Sequence, residues 1–270
     1  MNHNKLINKL ADYGVNYQLT AWIEDFLTNR KQKVVIDGEG SAEADVTSGV
    51  PQGSVLGPTL FLFYINDLPT EIKSSVRLFA DDTIIYNDAT NHETLQSDLG
   101  KLELWEKKWD MEFHPQKCQH ITFTRKKSPA NNKYKLHEIE IPKTETIKYL
   151  GVTIDSKLNW KKHVGNVVSK ANGTLSFIRR NILTSSSEIK ATAYKHLVRP
   201  ILEYASGAWD SISNTSEKQL EAVQRRAARL ICGIRRTDRK TSTTNLLRNL
   251  HLPSLSTQRR DAKMKPLSKY

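Results

Sequence analysis

Apolar residues recur at helical spacing in several long stretches of the chain. In the first stretch, five such residues, from Leu19 to Leu27, share one predicted helical face. In another, leucines and tryptophans from Leu95 to Trp109 form a stripe that is typical of core packing. The pattern predicts helices over residues 18–29, 92–112, 160–182, 186–207 and 215–232.

Strand-like patterns lie between these helices in the first part of the chain. Residues 31–50 alternate like a hairpin with its turn at Asp37-Gly38, and residues 120–125 and 147–155 are rich in β-branched side chains. After residue 156 the pattern becomes wholly helical. We therefore expect an α+β domain over residues 1–155, followed by a helical domain over residues 156–270.

The two parts of the chain also differ in net charge. The formal net charge is +12, and residues 195–270 contain 16 lysines and arginines but 6 acidic residues. Such a segment favours polyanions, with nucleic acid preferred over an acidic membrane surface or a solvated face. The two cysteines form no CxxC pair, and the apolar run at 55–65 is too short to cross a bilayer. These features predict a soluble intracellular protein without a membrane partner.

Asp81 and Asp82 stand between two strand-like segments, VRLFA and TIIY. A tight turn alone would explain a pair of acids. The flanking residues, however, are apolar enough to predict that both strands are buried. Two carboxylates held together at a rigid strand end repel each other unless a cation neutralises them, and hard oxygen ligands select Mg²⁺ or Mn²⁺. The pair is therefore a candidate divalent-metal site.

A second unusual stretch is the loop SGVPQGSVLGP, residues 48–58. Glycines at 49, 53 and 57 leave room for a flat base or a sugar, and Gln52 can both donate and accept hydrogen bonds. A glycine-rich turn that connects a strand to a helix explains the same residues. An apolar, helix-like run begins at Thr59.

The order of these motifs resembles the reverse transcriptases of non-LTR retrotransposons, particularly the jockey-like elements. GVPQGSVLGPTLFLFYINDLP is followed by FADD at Phe79–Asp82, and then by segments similar to the later palm motifs of that family at 105–123 and 147–155. The segment at 194–210 is similar to the region after the palm. The resemblance implies a partial right-hand polymerase palm, an antiparallel sheet with packed helices, over residues 1–155. It also implies a helical, thumb-like region after it.

The resemblance also implies a function and residue roles. The function is RNA-directed DNA polymerisation with Mg²⁺ or Mn²⁺, and the partners are an RNA template, a DNA primer and deoxynucleoside triphosphates. Asp81 and Asp82 would be catalytic metal ligands, and Lys117 would lie near the leaving pyrophosphate. The remaining roles are nucleotide and template binding by Pro51, Gln52, Gly53, Phe79 and Ala80, and the primer grip by Tyr149, Leu150 and Gly151.

One expected motif is absent from the sequence. In this family an F-D-x-V-x-H motif supplies another metal-binding aspartate, and here Met1 and His3 align with its valine and histidine. Asp12, Asp25 and Asp67 lack suitable surroundings to replace that aspartate. The sequence therefore leads to the hypothesis of an N-terminally truncated, inactive copy of a reverse transcriptase.

Two other functions compete with polymerisation. A non-catalytic protein that binds RNA or RNA–DNA hybrid could use the basic helix at 225–236, unless that face is merely solvated. A metal-dependent hydrolase is disfavoured because the histidines form no ligand-spaced cluster. The basic segment at 225–240 suits nuclear import as well as RNA binding, so nucleus and cytoplasm both stay open. The backbone-binding candidates are Arg225, Arg226, Arg229, Arg235 and Arg236.

Overall fold

The computed structural model of the chain describes residues 1–88, 90–127, 131–210, 212–234, 238 and 241–264. Helices and small antiparallel sheets alternate along these residues, which confirms the α+β class. None of the described helices combines the length and the apolar character that a membrane span requires. The α-helices are α1 (His3–Asp12), α2 (Tyr17–Leu27), α3 (Leu56–Ile65), α4 (His92–Trp109), α5 (Lys161–Asn181), α6 (Ser187–Ala193), α7 (Arg199–Glu203), α8 (Ser206–Trp209), α9 (Asn214–Ile231), α10 (Thr243–Asn249) and α11 (Leu255–Met264).

The strands form separate two-stranded antiparallel pairs in the described part of the chain, and not one continuous sheet. The β1–β4 pair encloses the β2–β3 hairpin, whose turn at Asp37-Gly38 is as predicted. The other pairs are the β5–β6, β7–β8 and β9–β10 hairpins. The strands are β1 (Lys31–Gln32), β2 (Val35–Ile36), β3 (Glu39–Gly40), β4 (Ala44–Asp45), β5 (Ser75–Phe79), β6 (Asp82–Tyr86), β7 (Tyr134–Leu136), β8 (Ile139–Ile141), β9 (Thr146–Tyr149) and β10 (Val152–Asp155).

The chain folds into two compact units. The first comprises residues 1–120 and 130–143, and the second comprises residues 121–129 and 144–270. The β9–β10 hairpin belongs to the second unit because it packs on α5 and contributes Val152 to the core of that unit. The boundary therefore falls before this hairpin, whereas the predicted domain boundary lies after it.

The core of the first unit has two clusters. One joins α1, α2 and α3 and includes Leu10, Leu27 and Tyr64. The other joins α4 to the β7–β8 hairpin and includes Leu102 and Leu136. Leu78 of β5 packs against both clusters, so the β5–β6 hairpin is fixed to the body of the unit through one of its faces.

The second unit is built around α5 and α9. The apolar face of α9 is buried in this core, where Leu220 and Val223 are fully buried. A buried polar chain crosses this core, because the Tyr194 hydroxyl donates to Gln224 and the Gln224 amide donates to the carbonyl of Pro253. This chain satisfies the hydrogen-bonding groups of both side chains within an apolar interior.

Two predicted elements are wrong. Residues 120–125 form no strand, because within the described ranges only His120 makes a bridge, to Lys143. The helix predicted over 186–207 is interrupted by a π-helical turn at Tyr194–Val198 and ends at Glu203. Pro200 explains this interruption, because proline has no N–H to continue the α-helical ladder.

Candidate active site

Asp81 lies in the two-residue turn of the β5–β6 hairpin, and Asp82 begins β6. Phe79 pairs with Asp82 across the strands, so Ala80 and Asp81 are the central turn residues. Ala80 has a φ of +50°, a left-handed conformation that costs an L-residue about 1–2 kcal/mol. Both aspartates therefore lie at the tip of a tight hairpin, next to a turn that is strained at Ala80.

The two faces of this hairpin differ. Val76, Leu78 and Ile85 pack against the core, while Phe79 is 59% exposed and Tyr86 is 46% exposed. The prediction that both strands are buried is therefore wrong: alternation in a two-stranded hairpin covers one face. Asp82 shares the open face with Phe79, so its carboxylate is accessible from solvent.

Neither aspartate forms an ion pair or a side-chain hydrogen bond with any described residue, and both are exposed. Carboxylate oxygens are the donors that Mg²⁺ prefers, and it binds through one or two carboxylates together with substrate phosphates. The pair therefore fits a divalent ion by its chemistry. Among the residues that the structure describes, no three His, Cys, Asp or Glu side chains form a metal-binding group.

The loop that contains Pro51, Gln52 and Gly53 is held by its own hydrogen bonds. The Ser54 hydroxyl donates to the carbonyl of Pro51 and accepts from the Gly57 amide. A Cβ at Gly57 would lie 2.8 Å from the Pro51 carbonyl oxygen, so this glycine makes room for the loop itself and not for a ligand. Gln52 is exposed beside Gly53, whose φ is +82°.

His3 anchors the start of this loop, a role that sequence reasoning missed. Its Nε2 donates to the carbonyl of Gly49 at 2.8 Å, and the Gly49 amide donates to the carbonyl of Met1. The ring is buried, although His3 stands in the first turn of a polar-looking helix. A histidine in the first turn of an amphipathic helix gives no sequence signal for such a contact.

Lys9 and Asp67 form a second contact that sequence reasoning missed. The Lys9 ammonium is 2.6 Å from Asp67 and 3.7 Å from the centroid of the Trp109 ring, and it also donates to the carbonyl of Tyr64. Burial lowers the pKa of Lys9 despite the neighbouring carboxylate. Asp67 also accepts from the Trp105 indole N–H, so its carboxylate is engaged within the fold.

Lys117 ends a short 3₁₀ turn, Pro115–Lys117, and its side chain is exposed. The next residue, Cys118, is half-buried, and burial raises the pKa of its thiol. Glu106 fixes the preceding segment by accepting from the Phe113 amide, and it lies 2.7 Å from the His137 ring. The turn therefore presents Lys117 to solvent on a braced segment.

Tyr149 ends β9, and Leu150 and Gly151 form the turn of the β9–β10 hairpin in the second unit. Leu150 and Gly151 both have positive φ, at +44° and +80°. The Tyr204 hydroxyl donates to the carbonyl of Leu150, and a Cβ at Gly151 would lie 3.3 Å from the Tyr204 ring. The positive φ therefore favours glycine at 151, and a side chain there would also press on the Tyr204 ring.

The basic candidates on α9 also lie in the second unit. Arg226 is exposed, and Arg225 and Arg229 are half-buried. The Arg226 guanidinium donates to the Asn172 side chain at 2.7 Å. Arg235 and Arg236 lie outside the described residues.

Comparison with known proteins places the chain in a family. Residues 1–154 match the model of the reverse transcriptase (RNA-dependent DNA polymerase) family, and this match covers more than half of the chain. The chain therefore belongs to that family, which implies a polymerase palm in its first part.

Curated relatives extend the similarity towards the C-terminus. A probable RNA-directed DNA polymerase from transposon X-element of Drosophila melanogaster is 30% identical over 78% of this chain and 24% of the relative. The RNA-directed DNA polymerase from mobile element jockey of the same organism is 28% identical over 88% of this chain and 27% of the relative. The chain thus spans about a quarter of the length of these relatives.

Proposed function

We propose that this chain is part of an RNA-directed DNA polymerase of a jockey-like mobile element, in which the Asp81–Asp82 pair is the metal-binding catalytic site. The observation that carries this proposal is the exposed pair of carboxylates without partners among the described residues. Family membership and the names of the relatives support the reaction class.

In the proposed reaction a primer 3′-hydroxyl forms a bond to the α-phosphate of a nucleotide, and the bond to pyrophosphate breaks. When bound, divalent ions would stabilise the attacking and leaving oxygens. Asp81 and Asp82 would hold them, because both carboxylates are free to bind. Lys117 would supply positive charge near the leaving pyrophosphate, a position that its exposed side chain allows.

The loop around Gln52 would bind the nucleotide and the template. Val50 and Leu56, which flank it, pack in the same core cluster as Leu78 of β5. The loop and the Asp81–Asp82 hairpin are therefore anchored in the same core cluster, which suits the rigid positioning that catalysis needs. Phe79 and Ala80 would complete the nucleotide site, and Tyr149, Leu150 and Gly151 would hold the primer end.

The same proposal assigns a role to each of the two predicted domains. The palm would cover residues 1–155, and the basic helices of 156–270 would act as a thumb that contacts the nucleic-acid backbone. Exposed Arg226 and half-buried Arg225 and Arg229 support this role by their charge.

A Mn²⁺ titration followed by electron paramagnetic resonance tests the metal site. Asp81→Asn and Asp82→Asn should each weaken binding about tenfold or more, because each removes a charged oxygen ligand. Asp25→Asn is the matched control, since Asp25 is exposed on α2 and has no partner among the described residues. Unchanged Mn²⁺ affinity in both turn variants would contradict the proposal.

Nucleic-acid binding without chemistry is the second candidate, and the arginines of α9 favour it. In that case Asp81→Asn should leave binding to an RNA–DNA hybrid unchanged and strongly dependent on salt. Primer extension that needs Asp81 would exclude this candidate as the whole function.

A further inference from the structure

A cavity of about 630 Å³ lies between α5 and the C-terminal end of α9 in the second unit. This volume is within the range of about 300–1,000 Å³ that is typical of small-ligand sites. Three arginines and four aliphatic side chains dominate its lining. The lining residues are Asn172, Leu175, Ser176, Arg179, Leu183, Arg226, Arg229, Leu230, Gly233 and Ile234.

The lining of this cavity includes no acidic residue, and Arg229 donates to the backbone carbonyl of Asp238 outside the lining. The acidic residues of α9 are used elsewhere: Glu217 lies 3.5 Å from buried Arg259, and Glu221 accepts from the amides of Leu255 and Ser256 at the start of α11. Arg179 has no ion pair or hydrogen bond with any described residue. The site should therefore attract anions.

The cavity continues into a groove along the two helices. A second cavity of about 570 Å³ shares Asn172 and Arg226 with the first and adds Lys218. Small residues such as Gly165 and Ala222 line it and keep the helices from filling the space between them. An extended ligand can thus run from one cavity to the next.

The apolar floor of the first cavity is set by the end of α9. The Gly233 amide donates to the carbonyl of Leu230, and the Ile234 amide donates to the carbonyl of Arg229. This hydrogen-bond pair is a Schellman motif, in which the glycine has positive φ and the next residue folds back on the helix. Ile234 thereby lines the cavity together with Leu230, Leu175 and Leu183.

We propose that this α5–α9 groove binds single-stranded nucleic acid, with one nucleotide seated in the first cavity. Its phosphate would lie on Arg179 and Arg226, and its base on the aliphatic floor. Guanidinium groups suit phosphate oxygens, and a base face gains by covering apolar surface. A duplex keeps its bases paired inside, so it cannot fill a recessed apolar floor. The inference deepens the proposed binding of nucleic acid and names a strand form and a site.

Fluorescence anisotropy with labelled single-stranded RNA and DNA oligonucleotides in EDTA tests whether Arg179 and Arg226 bind phosphate. Arg179→Ala/Arg226→Ala should weaken binding about tenfold and reduce the slope of log affinity against log salt by about 0.7–1.4, because one or two phosphate contacts are lost. Lys170→Ala/Arg180→Ala is the matched control, since it removes the same charge from exposed positions of α5 outside the lining. Equal losses in both doubles would overturn the proposal.

An oligonucleotide with abasic sites tests whether a base binds on the aliphatic floor of the cavity. The protein should bind it several-fold more weakly than the base-bearing strand, and Leu183→Ser should remove this preference, whereas Leu197→Ser should keep it. Both leucines are about half exposed, so neither change should unfold the chain. The proposal is overturned if the abasic strand, a duplex or poly-glutamate binds as tightly as the single strand. Because no metal or polymerisation is involved, a failed Mn²⁺ titration leaves this result intact, and the reverse also holds.

Discussion

Ala80 gives the turn before Asp82 its unusual backbone conformation. Its φ of +50° is a region that glycine enters without cost, yet alanine stands there, next to two exposed carboxylates. Strain that a fold maintains beside accessible polar groups is typical of functional sites. Phe79–Asp82 pairing holds the turn in this conformation.

Ala80→Gly should raise the free energy of unfolding by about 1 kcal/mol, because the left-handed strain is relieved. Urea unfolding measures the change. Ala21→Gly, in the middle of α2, is the control and should lower it by about 1 kcal/mol. Destabilisation by Ala80→Gly would show that the turn is not strained.

Lys9 and Asp67 should respond unequally to substitution. Asp67→Ala leaves a buried ammonium without its carboxylate and should cost about 3 kcal/mol. Lys9→Met should cost about 1 kcal/mol or less, because the Asp67 side chain is 28% exposed and keeps its bond from Trp105. Chemical unfolding of both variants checks this order, and a larger loss for Lys9→Met would contradict it.

His163 should make the second unit sensitive to acid. Burial lowers its pKa below that of the unfolded chain, so the unfolded state binds the proton more readily. Its stabilising contribution is therefore present above about pH 6.5 and is lost as pH falls through the lower folded pKa. The neutral ring accepts from the Thr153 amide and lies against Trp209.

Unfolding measured at pH 7.5 and pH 5 should show this loss, and His163→Gln should reduce the difference between the two pH values. Glutamine cannot be protonated in this range but can still accept from the Thr153 amide. An unchanged pH dependence in His163→Gln would assign the acid sensitivity to other groups.

At the residue scale, the sequence predicts those functional candidates that belong to recognisable motifs. Asp81, Asp82 and Gln52 are identifiable from their order along the chain, and the structure places them on an exposed turn and an exposed loop. The contacts of His3 and Lys9 could not be predicted, because each joins residues about 45 or more positions apart and rests on burial.

Among the elements, the loop before α3 depends on the absence of a side chain at Gly57. Gly57→Ala should destabilise the first unit by about 1–3 kcal/mol, because its Cβ would lie 2.8 Å from the Pro51 carbonyl oxygen and 2.9 Å from the Ser54 hydroxyl that holds the loop. Thermal unfolding checks this loss. Gly100→Ala on α4 is the control, since open space surrounds that position; a similar loss in both would refute the steric account.

Helices with a clear apolar periodicity were predictable from the sequence, whereas strands that depend on a pairing partner were not. α4, α5 and α9 agree with the predicted helices within a few residues, because a repeated apolar face marks each of them. Residues 120–125 have strand composition but no ladder within the described ranges, since a strand needs a pairing partner that composition cannot supply.

For the whole molecule, the division of charge matches the division into two units. The exposed carboxylates lie in the first unit, and the arginine-lined groove lies in the second. The family match ends at residue 154, close to the predicted domain boundary, while similarity to the mobile-element relatives continues beyond it. The palm and thumb assignments stay predictions on this basis.

The measurement that tests the central claim most directly is primer extension on an RNA template by a chimera. In it, this chain replaces the matching segment of the jockey polymerase, and Asp81→Asn is compared with Asp25→Asn. We predict extension that needs Mg²⁺ or Mn²⁺, persists in Asp25→Asn and is lost in Asp81→Asn. Extension that survives Asp81→Asn would contradict the assignment of the Asp81–Asp82 turn as the catalytic metal site.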